Sequence, residues 1–312
     1  MTNTEMGKRS RVPVDDVIAA ALELARGGRW RRAAALLDAT EPGDEGSRAR
    51  IALAAVEVAL ESDWFGGTDL TAKRLAVAEE GAADLDSDDR WDLAFLGLRH
   101  DYAGQIFVGG SFRLGPEGKD ARALAEVRRR AVSLRERAPD AVRAGWAEMY
   151  LGLIADNLFA ERDSAPAHYA AALRAAGHGD DRLAREALRH LGDHDHDAGD
   201  PVRARERWER ATELGARAGL VPGTLSQQML LAVLARTTGD AAAAEALARE
   251  VARWAGALGA VHIEAQARAF LSGADRTAPP AGHEPATASD LPPGYEPPSG
   301  AAAEVDMGSN PR

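Results

Sequence analysis

One stretch restricts the fold of this chain more than any other. Residues 185–218 read REALRHLGDHDHDAGDPVRARERWERATELGARA. A Leu-Gly pair, Leu191 and Gly192, precedes a Gly-Asp turn at Gly199 and Asp200. Ala204, Trp208, Ala211 and Leu214 then follow at three- and four-residue steps, which places them on one face of a second helix. A residue without a side chain at 192 lets two antiparallel helices touch, and the indole at 208 fills the groove between them. The arrangement recurs. Leu231-Ala232, Gly239-Asp240, Ala244 and Leu247 repeat it downstream, and Leu151-Gly152 with Tyr169, Ala172 and Leu173 repeats it upstream. Leu96-Gly97 begins an earlier copy, whose turn is replaced by the insertion VGGSFRLGPEGKD before a helix from Ala121 to Arg137. Residues 47–84 read as a degenerate pair split by SDWFGGTD, and 14–39 as a first pair turning at Gly27-Gly28. Residues 260–273 read as a capping helix. Two-helix units of this kind cannot bury their apolar faces alone and must stack.

Composition agrees with an all-helical chain. Of 312 residues, 45% are hydrophobic but only 5% aromatic, and alanine, the best helix former, dominates the apolar share. β-branched and aromatic residues never alternate for long, so strands are not expected. The formal charge of −11, with no lysine-rich stripe, argues against nucleic acid and anionic membrane as partners. The absence of cysteine removes disulfides, thiolate metal sites and cysteine nucleophiles. No apolar run of membrane-spanning length occurs, and the basic residues near the N-terminus precede no apolar segment, so a cytoplasmic location is expected. Residues 1–13 are expected to be flexible. Residues 274–312, rich in Pro, Gly and Ser, are expected to form a disordered tail because they cannot bury enough to offset ordering entropy.

The repeats resemble tetratricopeptide repeats, most clearly over residues 140–258 and more weakly over the rest of 14–273. The resemblance implies an all-α fold, an α-solenoid of about six antiparallel helix pairs wound as a right-handed superhelix. It also implies that the first helix of each pair lines a concave wall where a peptide or partner helix lies. Such repeats serve many purposes, so fold does not fix function. Similar repeats occur in bacterial transcription regulators, but no helix-turn-helix domain is visible here.

The residues on that implied wall suggest a ligand. Asp101 and Tyr102, Asp156 and Asn157, and Arg189, Asp193, His196 and Asp197 fall late on three successive first helices. A helix C-terminus already carries about half a negative charge, and an added carboxylate there is disfavoured by about 0.3–1 kcal/mol. Three neighbours repeating that arrangement would favour a basic guest: a peptide, a protein segment or an amine. Two other readings stand beside it. The acidic ends could be solvated or neutralised by Arg174, Arg203 or Arg205. Alternatively, His190, Asp193, His194, His196, His100 and Asp101 could ligate a divalent metal in an enzyme or small-molecule binder. No cofactor is expected under the first reading. HLGDH lacks the glutamate of HExxH, no phosphate loop follows GGSFRLG, and no G-x-S-x-G occurs. Trp64 and Phe65 are expected to pack a turn, and the arginine-rich second helices to be solvated faces paired with glutamates.

Overall fold

The computed structural model describes residues 12–108 and 111–273. Helices follow one another with short connections. They are α1 (Val14–Arg26), α2 (Trp30–Asp38), α3 (Glu45–Gly66), α4 (Thr71–Glu80), α5 (Ser87–Ile106), α6 (Ala121–Glu136), α7 (Ala141–Phe159), α8 (Ala165–Ala176), α9 (Asp181–Asp197), α10 (Pro201–Arg217), α11 (Val221–Thr237), α12 (Ala241–Leu258) and α13 (Val261–Leu271). Each packs mainly on its sequence neighbours, so the described chain is an α-solenoid of six pairs and a final helix. No helix among the described residues is long and apolar enough to cross a membrane. The expectations for 1–13 and 274–312 fall, apart from residues 12 and 13, outside the described residues.

Part of the acidic character serves helix starts. Asp44, Asp86, Asp120, Asp140, Asp180, Asp200 and Asp240 each precede a helix, and each carboxylate accepts a hydrogen bond from a backbone N–H in its first turn. That satisfies donors the helix itself leaves orphaned. The Gly-Asp turns combine two duties. Gly199 adopts a left-handed φ of 79°, which lets the Asp200 amide return to the Asp195 carbonyl at 2.9 Å, while the Asp200 side chain caps α10.

The pairs interlock where the repeat pattern places small residues. A Cβ at Gly192 would lie 2.5 Å from Trp208 Nε1, and one at Gly152 would lie 2.5 Å from Tyr169 Cε1. Ala204, Trp208 and Ala211 are buried, as their spacing implies. Phe65 stacks on Trp30, and Trp64 meets Phe107 edge-on. The helix break expected around SDWFGGTD falls later than its aromatics: Trp64 to Gly66 complete α3. Asp63 then accepts from the Leu70 and Thr71 amides to start α4.

Two features depart from the sequence reading. Phe107–Val108 and Ser111–Phe112 form a two-residue antiparallel pair at the start of the expected insertion, which the Gly115 amide ties to the Asn157 carbonyl at 2.8 Å. The array also meets its own beginning. Gly28 abuts Pro222 and Leu258, Gly67 abuts Val261 and His262, and one apolar cluster joins Ala25, Leu37 and Val58 to Met229, Val251 and Ile263. The starts of α11 and α13 thus rest on the ends of α1 and α3. Among the first helices of the pairs, α3 meets α9 through Glu57 and Arg182 and meets α5 through Glu61 and Arg99, while Arg99 also meets Tyr150 of α7.

Candidate functional site

The inner faces of α1, α3, α5, α7 and α9 carry a ladder of polar side chains. Arg182, at the start of α9, reaches Glu57 of α3 at 3.2 Å. Next along the wall, Arg99 of α5 contacts Glu61 at 3.3 Å and donates to the Tyr150 hydroxyl at 3.2 Å. Arg185 pairs with Glu186 and donates to the Gly223 carbonyl at 2.6 Å. Arg189 follows, 3.9 Å from Asp193 and hydrogen-bonded to His190 at 2.9 Å. Trp146, Tyr150 and Tyr102 interleave with these groups, and Trp146 lies under the Arg182 guanidinium.

These groups are enclosed by protein yet not dry. Glu57 and Arg182 keep 22% and 28% of their side-chain surface open to water, and Arg99 keeps 18%. Enclosure alone would push the Glu57 carboxyl up, but Arg182, Arg99 and Arg26 outweigh it and hold the group below its ordinary range. For Arg99 the balance also favours charge: burial opposes it, while Tyr150, Glu61 and Glu57 raise its pKa. Arg26 fares differently. Burial, and then Arg182, pull its pKa down against the weaker pull of Glu57, Glu61 and Glu23. Its Nε is buried with no acceptor, and no carboxylate among the described residues forms an ion pair with it. A buried donor left so costs about 1–3 kcal/mol.

The residues singled out in the sequence separate into two places. Tyr102, Asp156, Asn157, Arg189, Asp193, His190 and His194 gather where α5, α7 and α9 meet. Asn157 donates to the Tyr102 hydroxyl at 2.7 Å. Asp156 takes His194 at 3.0 Å, Tyr169 at 3.3 Å and Arg162 at 3.3 Å. His190 stacks on Tyr169. Burial, with Arg189, Arg185 and His194 adding to it, drives the His190 pKa well below its ordinary value. Burial lifts the Asp193 pKa, opposed by Arg189. Asp197 and His196 lie at the end of α9, Asp197 on Arg162 at 2.5 Å and His196 against the Trp208 ring. His100 and Asp101 lie elsewhere, in a cleft of about 300 Å³ between α5 and α6, where Asp101 pairs with Arg130.

The acidic tips therefore do not stand free. Arg162 bridges Asp156 and Asp197, Arg130 holds Asp101, and Asp195 takes Arg207 at 2.8 Å and Arg203 at 3.7 Å. Of the three arginines expected to neutralise them, Arg203 does so, while Arg205 pairs with Glu209 on its own helix. The six proposed metal ligands do not converge, and among the described residues no three His, Asp or Glu side chains are placed to hold a metal ion. Sequence reasoning passed over Arg26, Glu57, Glu61, Arg99 and Arg182. Glu57 and Glu61, four apart on one helix face amid alanine and valine, were the available signal. No protein-family model matches the chain, and no curated protein matches it either.

Proposed function

We propose that the chain is a ligand-binding helical-repeat module of tetratricopeptide-like build, which holds a small polar guest on the inner wall formed by α3, α5, α7 and α9. One observation carries this reading: the wall concentrates Glu57, Glu61, Arg99, Tyr150, Arg182 and Glu186 in one array, with Trp146 and Tyr102 interleaved among them. Well-packed apolar residues would serve stability equally well or better than enclosed ion pairs. A water-accessible polar wall is what recognition needs, because its groups can exchange water for ligand. The expected basic guest at the acidic helix tips has less support, since arginines of the same chain already occupy those carboxylates. A long peptide lying along this wall would also have to part Arg182 from Glu57, which together join α9 to α3.

The test is a thermal-shift and calorimetric screen with free amino acids, dicarboxylates, phosphate, putrescine and neutral tripeptides, each at matched ionic strength. At least one class should raise the melting temperature of the wild type, and Tyr150→Ala with Arg99→Met should remove that rise. If no class at millimolar concentration shifts the wild type, the binding reading is wrong.

A further inference from the structure

We infer that the inner wall seats the zwitterionic end of a free α-amino acid, with its carboxylate on Arg99 and the Tyr150 hydroxyl and its ammonium on Glu61 and Glu57. The inference rests on the reading of the wall as a binding surface and names the ligand class it takes.

Charge balance is the first ground. Four arginines and four acids of the wall stand in pairs: Arg182 with Glu57 at 3.2 Å, Arg99 with Glu61 at 3.3 Å, Arg189 with Asp193 at 3.9 Å, and Arg185 with Glu186. Arg26 and Glu23, three apart on α1, add one of each sign. A lone anion or a lone cation placed on such a wall gains from one member of a pair and loses to the other. A guest that carries both signs close together gains from both. The ammonium and carboxylate of an α-amino acid are two bonds apart, about 2.5 Å from nitrogen to carboxyl carbon. That spacing suits the 3.2–3.3 Å reach of the wall's own pairs. Laid antiparallel on a pair, the guest sets carboxylate over guanidinium and ammonium over carboxylate without parting them. Each extra methylene of a β- or γ-amino acid widens the gap and spoils the match.

Spare bonding capacity is the second ground. Elsewhere, arginines that join two helices grip a carboxylate with two bonds: Arg143 holds Asp92 at 2.8 and 2.7 Å, and Arg74 holds Asp38 at 2.8 Å on both oxygens. The inner pairs are looser. Arg182 and Arg99 each give a single bond to one carboxylate oxygen, at 3.2 and 3.3 Å, where charge-assisted bonds ordinarily run to about 2.7–2.9 Å. Glu57 Oε2 and Glu61 Oε2 accept no hydrogen bond among the described residues. These two glutamates are four apart on α3, so their carboxylates are neighbours. The Tyr150 hydroxyl accepts from Arg99 Nε at 3.2 Å, and its own hydrogen has no acceptor among the described residues. Glu61, like Glu57, keeps 22% of its side-chain surface open to water. An ammonium arriving from water therefore finds free carboxylate oxygens. Beside them a carboxylate finds the remaining N–H donors of Arg99 and the O–H of Tyr150.

The test titrates full-length protein with glycine, L-alanine, L-leucine, L-glutamine and L-phenylalanine, read by thermal shift and calorimetry. At about ten times its Kd, at least one should raise the melting temperature by roughly 3–6 °C. Its two half-analogues are the carboxylic acid without the amino group and the amine without the carboxylate. Each should bind at least about tenfold more weakly. Two conservative variants then probe the seat itself. Glu61→Gln should weaken the amino acid and strengthen the half-analogue acid, because one cation is then unmatched. Tyr150→Phe keeps the ring and should weaken the amino acid by about five- to tenfold, while leaving the half-analogue amine unchanged. The half-analogue comparison uses the unaltered chain, so the question stays decidable if a variant does not fold. A half-analogue that binds as tightly as the best amino acid overturns the seat, and so does unchanged amino-acid affinity in both variants. If phosphate, succinate or putrescine binds while every amino acid fails, the seat falls and the binding module stands. If nothing binds, both fall.

Discussion

Arg182 and Glu57 lie 125 residues apart in sequence and 3.2 Å apart in space, joining two helices that are not neighbours in the array. Removing the glutamate alone would leave Arg182 without its carboxylate and would take away the charge that Arg99 and Arg26 also feel. We expect Glu57→Ala to cost about 2–4 kcal/mol, less than a fully buried pair because both partners touch water. In a double-mutant cycle with Arg182→Ala, the coupling should be favourable by more than about 1 kcal/mol. Coupling near zero would reduce the contact to coincidence. The sign with pH follows from the depressed carboxyl. Its stabilisation is complete above the ordinary value of 4.5 and is lost as pH falls through the lower folded value.

His190 titrates in the other familiar direction for a buried base. The fold holds it neutral, against an ordinary value of 6.5, within reach of Arg189, Arg185, His194, Tyr169 and Asp193. Below pH 6.5 the unfolded chain binds a proton that the folded chain refuses, so stability should drop as pH falls from 6.5 toward 5. His190→Gln should flatten that slope. The ring resonances of His190, followed by NMR, should remain those of a neutral imidazole at pH 5.5; protonation near 6.5 would show the site to be wetter than described.

Gly152 and Gly192 tolerate no side chain. In each case an added methyl would come within 2.5 Å of a ring buried between paired helices. Gly192→Ala and Gly152→Ala should each destabilise by about 1–3 kcal/mol. Gly199→Ala places no atom against a neighbour and should cost less, chiefly through its left-handed φ. Chemical denaturation of the three variants ranks them directly.

Arg162 decides whether the acidic helix ends can receive a guest. Among the described residues it alone bridges Asp156 and Asp197. Arg162→Ala should lower stability by about 0.5–1.5 kcal/mol, as expected for a half-exposed arginine between two carboxylates. It should also create a response to putrescine that the wild type lacks. If the wild type responds equally, the helix tips accept amines despite their arginines.

The repeat units were legible because their signals are local. Gly192 and Trp208 lie sixteen residues apart, and their contact follows from helix period and turn length alone. The six pairs and the capping helix were accordingly readable from small residues and Gly-Asp turns. Partner choice was not. Arg162 reaches Asp197 over 35 residues, and Arg130 reaches Asp101 over 29. A long flexible side chain meets whichever carboxylate the stacking of helices brings near, and no spacing rule records that. Arg26, Glu57 and Arg182 were invisible as a group for the same reason: three segments must be superposed before they share a neighbourhood.

A linear stack of units can shed its outermost member and keep the remainder, so its stability is roughly a sum over links. Here Met229 and Ile263 help bury the same cluster as Ala25 and Val58. No unit is terminal in the energetic sense. Melting should accordingly proceed in one step, without fraying from either extremity. Inserting or deleting a single pair should be ruinous, since the last turn of the staircase would miss the landing it rests on.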